Sequence, residues 1–177
     1  MARAVNVKQN TPEIDGAILD NIIDYLNYVV VPVFIFYSLG MAPEPYLLLS
    51  CVAILLVSCF TFTNTNIKTD DFYFSGFPAI WNIVVLYFYI LESSEFTNFI
   101  FVILFCVLTF IPFKYVHPFR VVEFRKITLM ITCIWMITTT ILLFDVSSDP
   151  VFMSANFVIW LITNIYFAGN ILFRSIK

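Results

Sequence analysis

Apolar residues fall in long runs along this chain rather than in alternation, and short polar or proline-bearing breaks separate the runs. Six such segments can be read. The first extends from about Gly16 to Leu39, the second over Tyr46–Phe62 and the third over Phe77–Leu91. The fourth covers Phe96–Phe113, the fifth Ile127–Phe144 and the sixth Val151–Phe173. Runs this long with few charges predict membrane-crossing helices, because a helix satisfies its own backbone in lipid. The third is short and spans only if Phe72–Phe74 join it. The turn Gly40–Pro45 divides the first two segments, and Pro12 stops whatever precedes the first. Pro32, inside the first segment, predicts a kink whose freed carbonyl a neighbouring helix can satisfy. The expected fold is all-α: one polytopic membrane domain over residues 1–177, a bundle of six transmembrane segments.

The basic residues give that bundle an orientation. Arg3 and Lys8 precede the first segment, and Lys68 lies between the second and third. Lys114, Arg120, Arg125 and Lys126 lie between the fourth and fifth, and Arg174 and Lys177 follow the sixth. All 9 Lys and Arg therefore fall on one face of a six-segment arrangement. The turns on the other face carry only Glu44, then Glu92 and Glu95, then Asp145 and Asp149. Short loops rich in Lys and Arg stay in the cytoplasm, so both termini are expected there.

Composition narrows the class. With 61% hydrophobic and 12% charged residues, the chain departs from soluble domains, which are about half apolar and a quarter charged. The net charge of −3 says nothing about nucleic acid, but no basic stripe is present that could track a phosphate backbone, so none is expected as a partner. Cys51, Cys59, Cys106 and Cys133 sit inside apolar runs without a C-x-x-C pair, which points to packed free thiols. Met1–Gly16 has no apolar core of the kind a cleavable signal peptide needs.

Two acids interrupt the first segment. Asp20 and Asp24 are four residues apart, with Gly16 four before the first, so the three share a helical face. Like charges at that spacing destabilise a helix by roughly 0.2–0.5 kcal/mol, and proximity to a bilayer adds a desolvation cost. Two readings fit: solvated acids at a helix start favoured by the macrodipole, or oxygen ligands for a divalent cation. Asp15 points away from this face and reads as helix-start charge.

Gly16, Asp20 and Asp24 resemble the closing half, G-x-x-x-D-x-x-x-D, of the CDP-alcohol phosphatidyltransferase signature D-x-x-D-G-x-x-A-R…G-x-x-x-D-x-x-x-D. Ala2-Arg3 resembles the A-R that ends its opening half. The stretches IDGAILDNIIDYLNYVVVP, SGFPAIWNIVVLYFYIL and YVHPFRV resemble the bacterial phosphatidylcholine synthase branch of that family. So does the long spacer Ala4–Asp15. The D-x-x-D-G expected ahead of Ala2 is absent because the chain begins there. The resemblance therefore implies an N-terminally shortened domain with half of the family's acidic ligands and impaired activity on its own.

What the resemblance implies for chemistry is a metal-dependent transferase of the bacterial inner membrane. Mg²⁺ or Mn²⁺ on Asp20 and Asp24 would hold the diphosphate of CDP-diacylglycerol, and Asp24 would serve as general base toward choline. The products would be phosphatidylcholine and CMP. Gly16 would let the nucleotide approach, and Arg3 is either a phosphate contact or an ordinary positive-inside residue. Arg120 belongs to the cluster Lys114–Lys126, which suits either a lipid diphosphate or anionic headgroups. His117, the 1 histidine, reads as structural. A quaternary ammonium needs aromatic faces, for which Trp81 and Tyr73 are the first candidates and Tyr25 and Tyr28 the next. Alternatives are another acceptor (glycerol phosphate, serine or inositol), or a small membrane transporter or scaffold using the acids as an ion relay. A homodimer is compatible with the sequence.

Overall fold

The computed structural model describes residues 13, 15–64, 73–112, 114–116, 125–144 and 154–175. All six apolar segments contain a helix: α1 Gly16–Ser38, α2 Glu44–Thr63, α3 Trp81–Ile90, α4 Glu95–Leu108, α5 Arg125–Phe144 and α6 Ala155–Ser175. Two three-residue strands, β1 Tyr73–Ser75 and β2 Lys114–Val116, pair antiparallel with Phe74 opposite Tyr115. The all-helical expectation thus holds apart from this ribbon.

The six-span expectation holds only in part. Four helices, α1, α2, α5 and α6, are long and apolar enough to cross a membrane. Helices α3 and α4 have 10 and 14 residues. At about 1.5 Å per residue they reach roughly 15 and 21 Å, short of a hydrocarbon core about 30 Å thick. Side chains such as Phe34 at 71%, Leu56 at 67% and Phe144 at 80% exposure point outward from the bundle. Apolar surface of that extent suits lipid rather than water.

Local chemistry explains the breaks. Leu39 ends α1, Gly40 takes φ +59°, and the Met41 and Gly40 N–H groups donate back to the Phe36 and Tyr37 carbonyls. This is a Schellman stop, which glycine adopts without steric cost. Pro43 then leads directly into α2. Ser94 caps α4, its hydroxyl accepting from the Thr97 N–H at 3.3 Å.

Inside α1 the hydrogen bonding changes. Gly16–Tyr25 is α-helical, Leu26–Val30 forms a π turn, and Val31–Ser38 is α-helical again. Pro32 is the physical reason. It has no N–H for the Tyr28 carbonyl, and its ring crowds that carbonyl in a regular helix. Widening the turn relieves the clash, and the Val31 N–H donates to the Leu26 carbonyl five residues back. The expected irregularity at Pro32 is thus a widened turn just ahead of it.

Packing divides the bundle into two clusters that share α3. Val29, Val33 and Phe36 of α1 pack with Ile54 of α2, Val85 and Phe88 of α3 and Val102 of α4. A smaller cluster joins Ile90 of α3 to Leu142 of α5 and Trp160 of α6. Some buried hydroxyls are satisfied within their own turn, as Ser50 and Thr109 donate to the Tyr46 and Phe105 carbonyls at 2.8 and 3.0 Å, and others pair between helices, as Thr128 does with Tyr166 at 2.9 Å. In lipid, with no water to compensate, such pairing is required. The N-terminal half of α1 contributes no buried residue. Its face stays open.

Candidate active site

Asp15 starts the site. Its backbone is extended, and its carboxylate accepts from the Ala17 and Ile18 N–H groups at 2.8 and 3.3 Å. It is the N-cap of α1, so its charge serves the helix start rather than a ligand. Gly16 follows as the first helical residue, and a Cβ added there would meet nothing within 4 Å.

Asp20 and Asp24 rise from this start on one helical face. Asp20 is exposed and Asp24 half-buried. One turn beyond Asp24, Tyr28 lies on the same side of the helix. Tyr28 belongs to the π turn and keeps 36% of its surface exposed. Asp20, Asp24 and Tyr28 thus line one open side of a helix whose other residues are mostly apolar.

Tyr25 turns the other way. Its hydroxyl donates to the Leu55 carbonyl of α2 at 3.0 Å, and its ring meets Phe62 edge-on with centroids 5.6 Å apart. The contact fixes α1 against α2 at the depth of the acids. Sequence spacing places Tyr25 next to Asp24, but spacing could not reveal this engagement.

Trp81, expected to offer a ring face to a quaternary ammonium, is enclosed. It is 1% exposed, and its indole N–H donates to the Ser58 hydroxyl at 2.8 Å. Phe77 and Phe105 meet the ring edge-on at 5.3 and 6.1 Å. Its position is that of a core residue locking α3 to α2. Tyr73 lies in β1, whereas Arg3, His117 and Arg120 lie outside the described residues.

Among the described residues, no group of three or more His, Cys, Asp or Glu is placed to share a metal ion. The donor chemistry of Asp20 and Asp24 nevertheless fits Mg²⁺ or Mn²⁺, which take hard oxygen ligands. Mg²⁺ in particular is commonly held by one or two carboxylates, with substrate phosphates and water completing the shell. An open carboxylate pair leaves room for such a phosphate-bearing partner.

Comparison with known proteins gives this arrangement its context. The chain is 38% identical over 178 aligned residues to a phosphatidylcholine synthase of Pseudomonas aeruginosa, covering 100% of this chain and 73% of that protein. The chain belongs to the phosphatidylcholine synthase family. A phosphatidylcholine synthase of Borreliella burgdorferi is 40% identical over 168 residues, covering 95% of this chain and 70% of the relative. One from Legionella pneumophila is 45% identical over 137 residues, 75% of this chain and 54% of that protein. No family model matches the chain. No solved structure matches it either.

Family membership bears on the open face of α1. In a helix whose surroundings are apolar, uncompensated acids are expensive, and membrane proteins keep them where function requires them. Asp20 and Asp24 stand in the first ten residues of α1, on a stretch that contributes no buried residue.

Proposed function

We propose that this protein joins choline to CDP-diacylglycerol, giving phosphatidylcholine and CMP, at the end of the bundle where α1 begins. The family supports the reaction, and the exposed Asp20–Asp24 face supports its place. That end faces the cytoplasm of a bacterial inner membrane, because the termini, loops and helix ends on that side hold all 9 Lys and Arg.

Asp20 and Asp24 would hold Mg²⁺ or Mn²⁺. When bound, the metal neutralises the diphosphate and stabilises charge at phosphorus. Asp24 accepts the proton of the choline hydroxyl, which is a poor nucleophile until a carboxylate within hydrogen-bond reach relieves it. The choline oxygen bonds to the phosphorus bearing the diacylglycerol, and the bond from that phosphorus to the CMP oxygen breaks. Gly16 leaves the helix flank bare for the nucleotide, and Arg3 and Arg120 supply positive charge to its phosphates.

The observation that carries the proposal is the pair of acids on an unpacked helical face in a chain whose whole length aligns with 73% of a phosphatidylcholine synthase. The test uses membranes from cells expressing the protein from its natural gene, supplied with labelled choline and CDP-diacylglycerol. Choline-dependent CMP release should need a divalent cation and fall at least about 100-fold in Asp24→Asn. Asp20→Asn should shift the metal requirement to higher concentration. Unchanged CMP release in both variants would refute the proposal.

A further inference from the structure

We infer that Tyr28 is the aromatic face that receives the trimethylammonium group of the acceptor and so sets the preference for choline. This inference rests on the function proposed above. Choline carries its hydroxyl and its cation only two carbons apart. A hydroxyl placed against Asp24 therefore leaves the cation among the side chains that border that carboxylate. A quaternary ammonium cannot donate a hydrogen bond, so ring faces are its best neutral partners.

Three aromatic residues with described side chains were candidates on sequence grounds, and the fold separates them. Trp81 is 1% exposed, with its edge bound to Ser58 and its faces covered. Tyr25 is turned into α2, its hydroxyl on the Leu55 carbonyl and its ring against Phe62. Tyr28 alone of the three lies one turn from Asp24 on the open side of α1, at 36% exposure. Its place one turn beyond the proposed base leaves the ring unburied on that side of the helix.

The π turn explains why an aromatic can stand there. Tyr28 lies within Leu26–Val30, where the helix is widened ahead of Pro32. Such widened turns recur at functional sites because they present side chains that a regular helix would aim elsewhere.

The experiment compares the parent protein with Tyr28→Leu and Tyr28→Phe in membranes, measuring KM for choline, for CDP-diacylglycerol and for 3,3-dimethylbutan-1-ol, the uncharged isostere of choline. Tyr28→Leu should raise the choline KM about five- to thirtyfold. It should leave the KM of CDP-diacylglycerol and of the isostere within about threefold of the parent. Tyr28→Phe, which keeps the ring, should bring the choline KM back to within about threefold. An unchanged choline KM in Tyr28→Leu overturns the inference, and so does an equal rise for all three substrates. Failure of the parent protein itself to release CMP with choline defeats the underlying reading, and that result is seen before any variant is compared.

Discussion

Trp135 donates its indole N–H to the Tyr87 hydroxyl at 2.7 Å, and the same hydroxyl donates to the Asn164 side-chain carbonyl. One oxygen on α3 therefore holds both α5 and α6. These contacts bridge the two packing clusters of the bundle, since Tyr87 packs against the Ile90–Leu142–Trp160 group while α3 also lines the larger core. Tyr87→Phe should strand the indole N–H and the Asn164 oxygen at a cost of about 1–2 kcal/mol. A lowered melting midpoint in detergent is the expected result, with choline and CDP-diacylglycerol KM values unchanged.

Trp81 should behave as packing rather than as a substrate contact. Trp81→Ala should cost about 3–5 kcal/mol through the cavity it leaves among Phe77, Phe105 and Ser58. Trp81→Phe loses the bond to Ser58 but fills most of the space, and about 1–2 kcal/mol is expected. Thermal unfolding in detergent reads both. A choline KM that rises in Trp81→Phe while the melting midpoint holds would show that the indole touches substrate after all.

Gly76 should be intolerant of any side chain. Its φ is +87°, and an added Cβ would stand 2.3 Å from the Thr109 carbonyl oxygen. The neighbouring Phe77 N–H donates to the Leu108 carbonyl at 3.2 Å, so the strand-to-helix connection is pressed against the end of α4. Gly76→Ala must shift that backbone as well as strain its own, and a loss of at least about 1–3 kcal/mol is expected. Expression level and melting midpoint check it.

Gly16 makes the opposite case. Nothing lies within 4 Å of an added Cβ, so Gly16→Ala should fold as the parent does and strengthen the helix start by a few tenths of a kcal/mol. Any rise in the KM of CDP-diacylglycerol then reports on the nucleotide's approach rather than on the fold. An unaltered KM would remove Gly16 from the binding surface.

The helices were legible in the sequence because each apolar run carries its own signal, and all six contain one. The lengths of α3 and α4 were not. Phe77–Ile80 and Thr109–Phe113 read as apolar helix, yet Pro78 and Pro112 restrict the residues before them, and Ala79 is held at φ +54°. The two stretches lie beside each other through the Phe77–Leu108 bond and the close approach of Gly76 to Thr109, and no local pattern announces such a contact. The same limit applies at the site. Spacing put Gly16, Asp20 and Asp24 on one face, and the start of α1 matches. Which of Tyr25, Tyr28 and Trp81 stays open depended on partners 30 and 23 residues away in sequence, Leu55 for Tyr25 and Ser58 for Trp81.

The widened turn at Leu26–Val30 makes residue count, and not only residue type, a determinant of this site. Each residue of an α-helix advances the chain by about 100°, so one residue more or fewer between Asp24 and Val33 rotates one half of α1 against the other by that angle. With Val33 and Phe36 anchored in the core, removing one residue there would swing both carboxylates a quarter-turn toward lipid or toward α2. Every acid would survive such a deletion, but none would face the direction it faces now. Relatives that carry the two aspartates can therefore share this geometry only if they also preserve the interval that follows them.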